Sequence, residues 1–287
     1  MIDTKPMRIT PEIEAIVRRA LDEDVGDGDV TTNCTVPADD WLTGRFVAKA
    51  HGVLAGAAIA ALAFTLLDAR VKITLLVADG ETVTPRQTLA TIEGSARALL
   101  TGERTALNLL QRMSGIATAA QRFVQAVQGT RAIVLDTRKT APGLRVLDKM
   151  AFAAGGGQNH RIGLHDMVMI KNNHIAACAG SIAAAVQRVR ACDTRKRPIE
   201  VEVRDFDELN EALALNVDRI MLDNMSVADM RRAVQLVQGR VKLEASGNVT
   251  LDTVRAIAET GVDYISTGAV THSVIALDIS LWLDEQK

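Results

Sequence analysis

Aromatic residues are scarce in this 287-residue chain: one Tyr, two Trp and five Phe make up 3% of it. A core so poor in rings rests on Ala, Val, Leu, Ile and Met. The scarcity also argues against a dedicated binder of single-stranded nucleic acid, which stacks bases on aromatics along a basic groove. Positive charge is not in excess either, since 33 Lys and Arg face 35 Asp and Glu for a formal net charge of −2. Only three cysteines occur, Cys34, Cys178 and Cys192, with no C-x-x-C pair. They offer no metal cage and suit a reducing compartment. The longest apolar run, within "GVLAGAAIAALAFTLLDAR" from Gly52, is Ala-heavy and ends at Asp68. It falls short of the ~20 residues of a membrane span and reads as a buried core helix. The opening "MIDTKPMRITPEIEA" lacks the apolar centre of a secretory signal. A cytoplasmic location is therefore expected.

What is present is an ordinary folded composition, 48% hydrophobic and 24% charged, in a length that holds one large or two modest domains. Ile13, Ile16, Val17, Ala20 and Leu21 recur at helical spacing after Pro11. An extended "GRFVAKA", the Ala-rich helix and a β-like "VKITLLVADGETV" with a turn at Asp79-Gly80 follow. From Ser95 to about Gln128 a long helical pattern returns, with a break expected near Ser114-Gly115. Beyond residue 130 the rhythm alternates between short β-branched runs and helices: "AIVLD", "MVMI", "IEVEV", "RIMLD", "VKLEA", "YIST". That alternation implies a parallel sheet buried on both faces. Six strands are fewer than an eightfold barrel has, so an incomplete barrel is expected. Residues 1–112 are expected to form an N-terminal α/β domain and 113–287 the barrel, the last residues packing back on the first domain.

In βα-barrels chemistry gathers where strands end. The exits read "DTRKT", "KNNH", "EVEVR", "LDN", "EASGN" and "STGA" in chain order. Cations leave the early strands, carboxylates the middle ones and small residues the last two. Ser246-Gly247 and Thr267-Gly268 stand where barrels frequently take phosphate on backbone N–H groups. Either pair alone is as well explained as a glycine turn. Arg138, Lys139, His160, Arg161 and Lys171 crowd five cationic or proton-sharing groups near one mouth. A single Arg or Lys is usually a solvated surface charge. Five at strand exits repel one another unless anions fill the site, so a ligand of several negative charges is expected. Glu202 and Asp223 form an acidic sector, with Glu200 on the face of Glu202 by period two. Such carboxylates serve as acid and base, bind Mg²⁺ through oxygen, offset charge on a sugar, or pair with Lys139 or Lys171. His165 and His174 are expected to be caps or core histidines, and the spacing rules out a zinc helix.

Read in order, "LDEDVGDGDVTT", "TGERTALNLLQRMSGIAT", "DTRKTAPGLR", "GGGQNHRIGLHD", "IKNNHI", "EVEV", "LDN", "EASGN" and "GVDYISTGAVTHS" closely resemble the quinolinate phosphoribosyltransferase family over nearly the whole chain. The resemblance implies an N-terminal α/β sandwich-like domain, an incomplete parallel α/β barrel and a homodimer. It implies conversion of quinolinate and phosphoribosyl pyrophosphate, with Mg²⁺, to nicotinate mononucleotide, pyrophosphate and CO₂ in NAD biosynthesis. On that pattern Arg138, His160, Arg161 and Lys171 hold the dicarboxylate, and Arg104 reaches in from the partner subunit. Lys139, Glu202 and Asp223 face ribose, pyrophosphate and metal. Ser246, Gly247 and Gly268 line the phosphate pocket, with His272 nearby. The chain departs at Met150, where the family often has an aromatic, and at Arg204, where an acid is common. A molybdenum-locus protein shares the fold and part of the motifs. The residues by themselves also leave open a Schiff-base lyase acting through Lys139 or Lys171, and a non-catalytic sensor of an anionic ligand.

Overall fold

The computed structural model describes residues 8–284. Its contacts fall into two units: one holds the residues up to Gln121, Ala141–Gly156 and those from Ser273 onward, the other Arg122–Thr140 and Gly157–His272. The division is thus interleaved along the chain, where the sequence suggests one cut at 112/113.

In the first unit, α1 (Pro11–Val25) starts where Thr10 Oγ1 accepts the Ile13 amide at 3.3 Å and Pro11 fills the first turn. Its buried face is Ile13, Ile16, Val17 and Leu21, as the spacing predicts. A short α2 (Val30–Thr35) follows, capped by Asp29. The extended segment is β1 (Trp41–Ala48). The apolar run divides: Gly52–Val53 form β2, and the core helix α3 (Ala57–Leu67) begins after Gly56, whose φ of 91° suits glycine. Then come β3 (Lys72–Leu75), β4 (Thr82–Val83) and β5 (Thr88–Ser95). The last strand, β12 (Ile279–Leu283), pairs antiparallel with β1, giving a sheet in the order β12-β1-β5-β3.

The long helix α4 (Ala96–Ala126) is continuous, and the break expected at Ser114-Gly115 is absent. The dipeptide serves packing instead. A Cβ on Gly115 would stand 2.2 Å from the Ile275 carbonyl oxygen, and Ser114 Oγ accepts the Ala55 amide at 3.1 Å. Helix α5 (Arg145–Ala154) joins this unit through fully buried Asp148, which accepts from Arg112 Nε and Nη2 at 2.9 and 2.8 Å.

The second unit is an incomplete parallel α/β barrel. Its strands are β6 (Ile133–Leu135), β7 (Val168–Ile170), β8 (Ile199–Val203), β9 (Arg219–Asp223), β10 (Lys242–Ser246) and β11 (Tyr264–Ser266). They pair in the order β6-β11-β10-β9-β8-β7, all parallel. The crossovers carry α6 (Asn172–Ala177), α7 (Ile182–Cys192), α8 (Phe206–Ala214), α9 (Val227–Val237) and α10 (Leu251–Ala258), and the short α11 (Ala269–His272) follows β11. Edge strands β6 and β7 do not pair. Beside β6, Gln158 forms an isolated parallel bridge to Leu135, which brings the segment after the glycine triplet to the sheet edge. All six strands run the same way, so their exits share one end of the unit.

Candidate active site

At that end lies a cavity of about 450 Å³. Arg138 and Lys139 enter from the exit of β6, Lys171 from β7, Glu202 from β8, Asp223 from β9, and Ser246-Gly247 from β10. His160 and Arg161 line it from the segment beside β6. The three charge sectors expected from the sequence therefore face one space. Gly268 and His272 flank it: a Cβ on Gly268 would stand 2.8 Å from Lys139 Cδ and 3.1 Å from His272 Cδ2. Arg104 belongs to the other unit, exposed on α4.

The cations are held in opposed ways. Arg161 is half-buried, with Nη1 on the Met167 carbonyl at 3.1 Å and Nη2 at 3.6 Å from Met169 Sδ. Burial, and then the charge of Arg138, press its pKa below the usual guanidinium value. Both pressures are relieved by an anion between the two arginines. Lys171 Nζ pairs instead with Glu202 Oε2 at 2.9 Å. Lys139 is exposed, its amide on Thr137 Oγ1 and its carbonyl accepting from Thr271 Oγ1 at 2.8 Å.

The structure separates the two glutamates of β8. Glu202 lines the cavity, while Glu200 is fully buried below it. There Glu200 Oε2 lies 3.2 Å, and Glu244 Oε2 of β10 3.3 Å, from His160 Nε2, close enough for ion pairs though off the hydrogen-bond line. On the other side of the ring, the Arg161 amide donates to His160 Nδ1 at 2.7 Å. The sequence reading gives His160 to the ligand; here both ring nitrogens turn to protein groups. Burial pushes His160 down, while the neighbouring carboxylates of Glu200 and Glu244 push it up. An imidazolium, however, has no lone pair at Nδ1 for the Arg161 amide. We therefore read the ring as the Nε2–H form, with the cluster's extra proton on the carboxylate side. Burial and the charge of Glu244 raise Glu200, which suits that assignment. Glu244 is held low against its burial by His160 and by Arg219, whose Nη1 lies 2.8 Å from Oε2. His160, Glu200 and Glu244 are also the set spaced for a metal ion among the described residues.

Asp223 is reached by a chain of amides. Asn248 Nδ2 donates to Asn224 Oδ1 at 3.1 Å, and Asn224 Nδ2 to Asp223 Oδ1 at 3.0 Å. Gly247 between them has φ +97°, and a Cβ there would stand 2.1 Å from Asn224 Oδ1, so only glycine fits. Glu202 and Asp223, on neighbouring strands, are two cavity-lining carboxylates that could hold a divalent cation through oxygen. His174 is a helix cap, its Nδ1 accepting the Lys171 amide at 2.9 Å. Arg204 pairs locally with Glu208. The sequence reading did not single out Asp136, Glu244, Asn224 or Asn248. Asp136 is fully buried and takes the His160 amide at 2.7 Å. For Glu244 and Asp136 the available signal was an acid within, or directly after, an otherwise apolar strand.

Known proteins carry the same architecture. Residues 29–114 match the family model described as quinolinate phosphoribosyl transferase, N-terminal domain, and residues 116–282 the C-terminal domain. A chloroplastic nicotinate-nucleotide pyrophosphorylase [carboxylating] of Oryza sativa subsp. japonica is 44% identical over 98% of this chain and 80% of its own. A probable nicotinate-nucleotide pyrophosphorylase [carboxylating] of Bacillus subtilis is 43% identical over 94% of this chain and 93% of its own. The crystal structure of NadC from Streptococcus pyogenes superposes with a TM-score of 0.93 at 40% identity, covering 98% of this chain and 100% of that one. With both domain models matched in order and identity above 40% across the length, the chain belongs to the quinolinate phosphoribosyl transferase family.

Proposed function

We propose that this chain carries out its family's reaction at the strand-exit cavity. Quinolinate and phosphoribosyl pyrophosphate become nicotinate mononucleotide, pyrophosphate and CO₂, a step of NAD biosynthesis. The observation that carries this assignment is the meeting of two guanidiniums, Lys171 and two carboxylates in one cavity of a mildly acidic chain.

Arg138, Arg161 and Lys171 take the two carboxylates of quinolinate, with His160 supporting Arg161 from below. Lys139 faces the pyrophosphate, and Ser246, Gly247 and Gly268, with His272 beside them, border the phosphate pocket. Glu202 and Asp223 would hold Mg²⁺, which when bound neutralises phosphate charge. The pyridine nitrogen attacks C1 of the ribose as pyrophosphate leaves, and Glu202 and Asp223 stabilise the positive charge growing on the sugar. The pyridinium then accepts the electrons released as the neighbouring carboxylate departs as CO₂, and a proton takes its place. Lys171 starts on Glu202, so quinolinate draws it across the cavity and leaves that carboxylate available. We further propose a homodimer in which Arg104 completes the partner's site. A cytoplasmic location agrees with three unpaired cysteines.

Purified protein with quinolinate, phosphoribosyl pyrophosphate and Mg²⁺ is expected to release CO₂ and mononucleotide together. Product without CO₂, or equal turnover of nicotinic acid, would reject this assignment.

A further inference from the structure

Glu200 and Glu244 take no part in the proposed chemistry, yet both are fully buried in strands whose neighbouring residues are apolar. Taking two carboxylates out of water is costly, and apolar residues of similar volume often serve stability as well or better. What the pair touches is His160, on its Nε2 edge. The Nδ1 edge accepts the Arg161 amide, and the His160 amide donates to Asp136. The backbone at 160–161 is thereby held from three sides. That backbone carries the Arg161 guanidinium into a cavity where Arg138 repels it. Mutual repulsion turns a flexible side chain outward unless its base is fixed. Arg219 anchors the arrangement from the far side, bound to Glu244 and stacked 4.1 Å from the Tyr264 ring centroid.

We propose that Glu200 and Glu244 are positioning residues for dicarboxylate recognition: through the His160 ring they keep Arg161 aimed into the cavity against Arg138. The role rests on the quinolinate reading of that cavity. It belongs to binding, because both carboxylates turn to His160.

Steady-state kinetics of Glu200→Leu and Glu244→Gln test it, since glutamine at 200 would only copy a protonated Glu200. The quinolinate KM rises about tenfold in each, while the phosphoribosyl pyrophosphate KM stays within about twofold, since only the carboxylate clamp is misplaced. In an Arg161→Ala background, Glu244→Gln adds no further loss, because both changes act through one side chain. His160→Asn serves as a second variant should those variants fail to fold. It keeps an acceptor near the Arg161 amide, cannot reach the buried acids, and gives the same selective rise. An unchanged quinolinate KM, equal losses for both substrates, or additive losses with Arg161→Ala would overturn the proposal. Failure of the wild type to turn over quinolinate rejects the cavity assignment itself; an active wild type with unaffected variants rejects the positioning role alone.

Discussion

Arg138 leaves β6 half-buried, beside an Arg161 whose charge is already disfavoured by burial. An empty cavity with this pair is electrostatically tense, and a dicarboxylate relaxes it. Arg138→Ala is expected to weaken quinolinate binding by ~2–3 kcal/mol, roughly a hundredfold, while the fold persists. Isothermal titration together with circular dichroism reads both; unaltered affinity would take Arg138 out of the proposed role. At this scale the sequence was legible where a charge stood at a strand exit, as with Arg138, Lys171 or Asp223. It was illegible at Glu244. One acid in "VKLEA" looks like the solvent face of a half-exposed strand, and only a sheet covered on both sides turns that position inward. The side of Glu200 and Glu202 nearer the ligand was equally hidden, because period two puts both on one face and depth depends on the barrel.

Among elements, the six parallel strands were readable from their β-branched runs and flanking helical patterns. Helix α4 was misjudged at Ser114-Gly115, since propensity treats that pair as a break. A glycine needed for close approach to the Ile275 backbone looks no different in sequence. The opposite end of the barrel has its own fastening. Asp263 precedes β11; its carboxylate accepts the Leu243 amide at 3.0 Å and Lys242 Nζ at 2.8 Å and also pairs with Arg131, while its carbonyl takes the Ile133 amide. Burial raises its pKa, but these partners prevail and hold it below the usual 3.8. A depressed carboxylate stabilises the fold fully above its unfolded value, and that share vanishes as pH falls through the lower folded value. Asp263→Asn is thus expected to cost about 2 kcal/mol at neutral pH. Urea unfolding should show the gap to wild type closing as pH is lowered from 3.8. A gap that stays constant would mean the charge is irrelevant.

For the whole molecule, the sequence anticipated two α/β parts but cut them once, whereas the contacts interleave them. Burial of Asp148 against Arg112 and the close seat of Gly155, where a Cβ would stand 2.3 Å from the Ala117 carbonyl oxygen, draw α5 into the first unit. Neither contact has a local signature. The proposed exchange of Arg104 between subunits is open to complementation. Arg104→Ala and Glu202→Ala chains, each expected to be inactive alone, should regain activity when co-expressed, since one mixed site then carries both native residues. No recovery would argue against contribution in trans.

Because β12 closes the sheet along β1, the first unit cannot be completed during synthesis until the final strand has left the ribosome. Until then β1 offers an unpaired edge, a template for wrong partners that a nascent chain must keep guarded. A transcript truncated after Asp278 should for that reason yield aggregate, not a shortened enzyme.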